Sequence, residues 1–174
     1  MRKTFIATLL ILVIASTSLF SVEDNFTVTT DVSLIGYMKV SSSAILGNTV
    51  TAYDNSGNFT TLAITTSGEQ SFSAYMTTLC NSRTGYTVSM SATPMTSAGS
   101  SFTSQILYTV RCNGQEILAT LSQENVPPTI VDVNSLTSLT GNSQAITLSV
   151  DATTFDAAVA GSYLGTVTFT FTAT

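Results

Sequence analysis

ILYTVRCNGQEILATL, residues 106–121, decides the fold class. Asn113-Gly114 stands between two runs of strand-forming residues. Asn-Gly is the preferred pair for a two-residue type I′ turn, which needs positive φ at both positions and twists as its flanking strands do. Such a turn sets the register: Val110 opposes Ile117, Tyr108 opposes Ala119, and Ile106 opposes Leu121. All six side chains then fall on one side of the ribbon. The other side carries Thr109, Arg111, Glu116 and Thr120, with Leu107 and Leu118 as apolar exceptions. Turn chemistry and burial pattern specify the same pairing.

The period of two recurs outward from this hairpin. Tyr86, Val88, Met90 and Ala92 form one face against Thr87, Ser89 and Ser91, and Phe72, Ala74 and Met76 alternate toward Cys80. Val50–Tyr53 and Phe59–Ile64 flank DNSGN, a turn rich in residues that tolerate left-handed backbone, and read as two further strands. Beyond the break at Pro127-Pro128 come Val131 and Val133, then Ile146, Leu148, Val150 and Ala152. The last run, GSYLGTVTFTFTAT, places Tyr163, Val167, Phe169, Phe171 and Ala173 on one face. No stretch holds a capped helical period. Seven to nine strands at this spacing predict an all-β domain of β-sandwich type.

The first 21 residues read as a secretory signal peptide: Arg2 and Lys3 at the start, an apolar centre from Phe5 to Ala15, then small polar residues up to Ser21. That centre is about 11 residues, against the ~20 a spanning helix needs. Removing Arg2 and Lys3 with the leader takes the formal net charge from −5 to −7 and leaves Lys39, Arg83 and Arg111 as the cations. Three scattered cations make no basic stripe, so nucleic acid is a poor partner. In an exported chain the two cysteines, Cys80 and Cys112, are expected to form a disulfide. It would close a loop of about 33 residues, worth about 3 to 4 kcal/mol on the loop-entropy account. As a metal pair they lack any histidine to complete a site.

Catalytic groups are scarce. The chain has no histidine, the commonest general base. It also has no nucleophile elbow and no phosphate-cradling glycine loop. Its carboxylates are scattered and read as solvated surface. No enzyme activity, cofactor or metal is expected.

The two ends of the chain remain. VEDNFTVTTDVSL, residues 22–34, alternates as strictly as the C-terminal run, with Phe26, Val28, Val32 and Leu34 on one side. Burying those four side chains is worth about 1.5 to 3 kcal/mol each before ordering costs. Strand addition between chains is one way to use such a segment.

VEDNFTVTTDV, GYTVSMSATPM, the hairpin ILYTVRCNGQEIL and the ending AGSYLGTVTFTFTAT, in that order, resemble the major pilins of the class 5 fimbriae. This is the alpha clade of chaperone–usher pilins that includes colonisation factor antigen I and cable pili. The resemblance implies an incomplete immunoglobulin-like β-sandwich that lacks its last strand, spanning residues 35–174. A periplasmic chaperone fills the gap, and an outer-membrane usher exchanges it for the N-terminal extension of the next subunit. Here the donor strand would be residues 22–34, inserting Phe26, Val28, Thr30, Val32 and Leu34. Tyr163, Val167, Phe169 and Phe171 would line the acceptor groove, and the Thr174 region would meet the chaperone. The implied partners are identical or related pilins, a chaperone, an usher, a tip adhesin and a host surface receptor, on a fimbria outside the cell. Family donor strands tend to be followed by a proline, where this chain has Ser33 and Leu34.

Two other readings stay open. One is a minor subunit or tip adhesin that binds host glycans, with Tyr37, Tyr53 and Tyr75 as candidate contacts. The other is a self-contained secreted sandwich of spore-coat type whose N-terminal strand folds back into its own sheet.

Overall fold

The computed structural model describes residues 27–97, 104–120 and 127–174. The expected leader and Phe26 lie outside them. The chain divides into two compact units at Val32/Ser33. Residues 27–32 form no ladder and their side chains are exposed.

The second unit is built of antiparallel strands with two short helical turns. In chain order the strands are β1 (Gly36–Ser41), β2 (Gly68–Glu69), β3 (Tyr75–Cys80), β4 (Tyr86–Ala92), β5 (Met95–Ser97) and β6 (Gln105–Ile106). They continue with β7 (Tyr108–Cys112), β8 (Gln115–Ala119), β9 (Thr129–Val133), β10 (Thr140–Val150), β11 (Tyr163–Leu164) and β12 (Val167–Ala173). The largest sheet runs β1-β3-β10-β7-β8, with β2 also on β10; a second runs β12-β4-β9 and a small third β11-β5-β6. The all-β expectation holds. Among the described residues no helix is long and apolar enough to cross a membrane.

The hairpin forms in the register its turn dictates. Asn113 and Gly114 both adopt positive φ, 50° and 74°. Tyr108 opposes Ala119, Val110 opposes Ile117, and Arg111 opposes Glu116 on the outer face, where the two ion-pair at 2.8 Å. In β4 burial alternates as expected, with Tyr86, Val88 and Met90 inside. Side chains of β3, β4, β7, β8, β9 and β10 meet in one apolar cluster that includes Met76, Tyr86, Val88, Met90 and Val110.

The core also takes in polar residues that carry no apolar signal. Thr77 and Thr78 are buried in β3, where Thr78 Oγ1 meets the Tyr86 hydroxyl at 2.8 Å and Thr77 Oγ1 meets Ser143 Oγ. Satisfied hydroxyls bury at little cost. The polar first half of β10, Thr140 to Gln144, can therefore lie against β3 before the strand passes on to pair with β7.

Three expectations are corrected. Val50–Tyr53 is not a strand but the body of a helical turn, α1 (Val50–Asp54). The Thr49 hydroxyl accepts the Ala52 N–H at its start, and Lys39 Nζ donates to the Tyr53 and Ser56 carbonyls at its end, at 3.0 and 2.6 Å. Phe59–Ile64, its expected partner, joins no ladder among the described residues. Ala152 is not the end of a strand but the start of a second turn, α2 (Ala152–Asp156). Asp151 caps it by accepting the Thr154 N–H, a bond that lowers the carboxyl below its usual range.

The expected Cys80–Cys112 disulfide is not formed, and both thiols are free and buried. Register explains why: Cys80 lies opposite Thr140 and Cys112 opposite Ile146 on the same strand, β10. Six residues of extended strand span roughly 20 Å, whereas disulfide-linked Cα atoms lie within about 7 Å. Burial instead pushes the Cys112 thiol up to about 11.

Candidate functional site: an open apolar groove beside the C-terminal strand

β12 follows from TVTFTFTA, in which threonine and a bulkier apolar residue alternate on a pleated backbone. It pairs with β4 from Val167 opposite Ala92 to Ala173 opposite Tyr86. Since β4 sits between β12 and β9, β12 is an outer strand, and among the described residues no strand pairs with its other edge. Thr168, Thr170 and Thr172 are exposed. Val167, Phe169 and Phe171 are only half-buried, although they pack on the core cluster.

For Val167 and Phe169 that incomplete burial has a cause. A groove of about 360 Å³ opens along this side of the domain. Tyr163, Val167 and Phe169 contribute to its lining from the C-terminal segment, while Phe59, Leu62 and Ile64 contribute from the chain after α1. Beneath them lie the core residues Ala74, Val110 and Ile146. Phe59 and Phe72 stack at 5.7 Å within it.

Sequence reasoning placed Tyr163, Val167, Phe169 and Phe171 together. The structure brings the first three to the groove. Phe171 sits apart from its lining, stacked on Tyr86 at 5.2 Å and so close to Gly36 that a Cβ there would lie 3.0 Å from its ring. The contribution of Val40, Phe59, Leu62, Ile64 and Phe72 was missed. The sequence reads Phe59–Ile64 as a strand, but nothing in that reading names the surface it faces.

Polar contacts fix the rim where β12 begins. The Tyr108 hydroxyl donates to the Thr93 carbonyl at 2.6 Å, with the Thr166 carbonyl 3.3 Å away. The Thr93 N–H donates to that Thr166 carbonyl at 2.9 Å, and the Thr166 N–H returns a bond to Thr93 Oγ1 at 3.0 Å. Burial pushes the Tyr108 phenol up to about 12, so it stays a donor at neutral pH. The Tyr163 hydroxyl donates to the Val159 carbonyl at 2.9 Å and holds the next loop. At the other end of β12 the Thr174 carbonyl accepts from Ser82 Oγ at 3.1 Å and from Thr84 Oγ1, which fastens the last residue.

No known protein family, no curated protein and no solved structure matches the chain.

The expected donor residues are available to solvent. Val28 and Val32 are each 79 % exposed and Leu34 64 %, with Thr30 exposed as well. Leu34 lies within a clamp: the Asn81 side chain accepts the Ile35 N–H at 2.7 Å and donates to the Ser33 carbonyl at 3.0 Å, and the Asn81 N–H reaches the Ile35 carbonyl. The clamp fixes the line on which the chain joins β1. Of the three tyrosines considered for sugar binding, Tyr53 belongs to α1 and is buried, with its ring 5.5 Å from that of Tyr37.

Proposed function

We propose that this chain is the structural subunit of a surface fimbria of the class 5 chaperone–usher type. Its domain is read as an immunoglobulin-like sandwich short of one strand, completed by residues 22–34 of a neighbouring copy. One observation carries the reading: among the described residues the chain combines an apolar groove beside an unpaired strand edge with an alternating segment whose apolar side chains are exposed. Large exposed apolar groups on a secreted protein call for a partner. An entering strand meets both needs, since its backbone can pair with the edge of β12 while alternate side chains fill the groove.

Filling the groove with Val28, Val32 and Leu34 is worth about 1.5 to 3 kcal/mol for each side chain fully buried. Phe26 adds a fourth contribution. A periplasmic chaperone would cover the groove before assembly, and an outer-membrane usher would exchange it for the next subunit. A tip adhesin and a host receptor are the further partners this reading carries, with the fibre on the cell surface.

The test is an unboiled SDS gel of material sheared from cells that express the chain with its chaperone and usher. The parent is expected to give a ladder of multimers. Deletion of residues 22–28 is expected to give a chaperone-bound subunit and no ladder. Ladders from the deleted form would overturn the donor assignment.

A further inference from the structure

Pull on residues 22–32 reaches the body of the domain at Ser33, where the second compact unit begins. β1 starts three residues further on, and the first pair of its ladder with β3 is Gly36 opposite Cys80. A ladder loaded at one end opens pair by pair, so β1 would begin to peel at that pair. Asn81 stands directly ahead of it. β3 cannot continue there, because the chain turns: the Gly85 N–H closes on the Ser82 carbonyl at 3.2 Å, with Gly85 at a φ of 91°. The Asn81 carboxamide carries the donor and acceptor groups that a further stretch of strand would have offered. Its oxygen accepts the Ile35 N–H at 2.7 Å and its nitrogen donates to the Ser33 carbonyl at 3.0 Å, besides the backbone bond from the Asn81 N–H to the Ile35 carbonyl at 3.1 Å. These bonds stand between a pull at Ser33 and the ladder.

The same turn holds the end of β12. The Thr174 carbonyl accepts from the Ser82 and Thr84 hydroxyls, and the Thr174 N–H donates to the Gly85 carbonyl at 3.2 Å. β4 leaves the turn at Tyr86 and pairs at once with Ala173 of β12. Side chains close the circuit. The Tyr86 hydroxyl meets Thr78 Oγ1 of β3 at 2.8 Å, the Tyr86 ring stacks on Phe171 of β12 at 5.2 Å, and the Phe171 ring lies against Gly36 of β1. Phe171 stands apart from the groove lining because it is packed into this contact. Residues 81–85 thus link, through covalent bonds, the strand pair from which the N-terminal segment departs to the strand pair that borders the groove.

Resting on the function proposed above, we infer that this turn is the tension-carrying junction of the fibre, with Asn81 as its positioning residue. Pull passes from the segment seated beside β12 through β4 and the turn to Asn81, and from there into the N-terminal segment seated in the next copy, without peeling β1 from β3. The device holds the fibre under load and is not needed to form it: neither Asn81 nor the two residues it binds line the groove, so they add nothing to the apolar contact that seats a donor. Forced unfolding follows the rate of the opening step, and bonds that break ahead of that step set the rate.

The experiment holds single fibres, sheared from cells that express the chain with its chaperone and usher, at constant force in an optical trap and records the time to the first subunit extension. Asn81→Ala is expected to give the parent's SDS-stable ladder but a lifetime under force shortened roughly fivefold or more, as the loss of two ordinary hydrogen bonds ahead of the opening step implies. Asn81→Asp keeps the acceptor for the Ile35 N–H, loses the donor to Ser33, and should fall between. Gln70→Ala removes two side-chain bonds of the same kind, to the Thr66 and Gly68 carbonyls of another loop, and should keep the parent's lifetime even where its melting temperature falls as far. Parent lifetimes in both Asn81 variants, or a Gln70→Ala lifetime as short as that of Asn81→Ala, would overturn the junction and leave the donor-strand reading standing. Loss of the ladder in both Asn81 variants would overturn it as well, by making the clamp a requirement of assembly. Parent material without a ladder would overturn both readings.

Discussion

Replacing Tyr108 with phenylalanine tests the rim of the groove through one oxygen atom. The ring is 3 % exposed and keeps its packing in the variant, so no cavity of consequence opens. What is lost is the O–H that donates to the Thr93 carbonyl at 2.6 Å. The Thr166 carbonyl keeps its bond from the Thr93 N–H, so the cost falls mainly on the part-buried bond to the carbonyl of the exposed Thr93. Losing one such hydrogen bond costs about 0.5 to 1.5 kcal/mol. With a urea slope of about 2 kcal/mol per molar, the midpoint should fall by about 0.25 to 0.75 M at unchanged slope. A second signature lies at high pH. Burial raises the phenol from its ordinary 10.0 to about 12, so its contribution is complete below pH 10 and is lost as pH rises through 12, where the unfolded chain has already released the proton. Phenylalanine has no such proton, so the stability gap between parent and variant should narrow above pH 10. Urea titrations of both proteins at pH 8 and pH 11, followed by far-ultraviolet circular dichroism, measure both effects. A variant as stable as the parent at pH 8, or a gap that stays constant to pH 11, would refute the hydrogen-bond account.

Other substitutions should separate structure from assembly. Gly85→Ala should destabilise by on the order of 3 kcal/mol or more, because φ there is 91° and a Cβ would sit 1.7 Å from the Val133 carbonyl oxygen; a thermal melt will show it. Arg111→Ala should change stability by less than about 0.5 kcal/mol in the same assay, since both partners of its ion pair are largely exposed. Val28→Asp with Val32→Asp should leave the melting temperature of the isolated subunit unchanged, both residues being 79 % exposed, yet abolish the SDS-stable ladder. The parent should also lose stability as pH rises from 9.0 through about 11, where the unfolded chain ionises Cys112 and the folded chain holds its thiol protonated; Cys112→Ala should flatten that limb in urea titrations.

Local chemistry made some elements legible and left others silent. Asn113-Gly114 fixed a turn and therefore a register, because positive φ at two adjacent positions leaves the flanking strands one way to pair. Alternation in β4 and β12 likewise told which side chains face inward. The same signal misled at Val50–Tyr53, where a threonine cap and a lysine at the far end close a helical turn whose Tyr53 packs with Ile45 and Leu79. It was mute at Thr140–Gln144, which pair with β3, and at Thr77 and Thr78, whose burial depends on the hydroxyls of Ser143 and Tyr86.

By itself, then, the sequence determined that the chain is made of antiparallel strands, which faces of its strongest strands are apolar, and that both ends carry alternating segments. Hydropathy records that a face needs cover; it does not record what covers it. Tertiary structure decided that. Among the described residues it left β12 with one edge unpaired, set Phe59, Leu62 and Ile64 around the same groove as Val167 and Phe169, and placed the two cysteines opposite separate points along β10. These outcomes depend on how strands distant in sequence align, and alignment is settled by packing and hydrogen bonding over the whole domain.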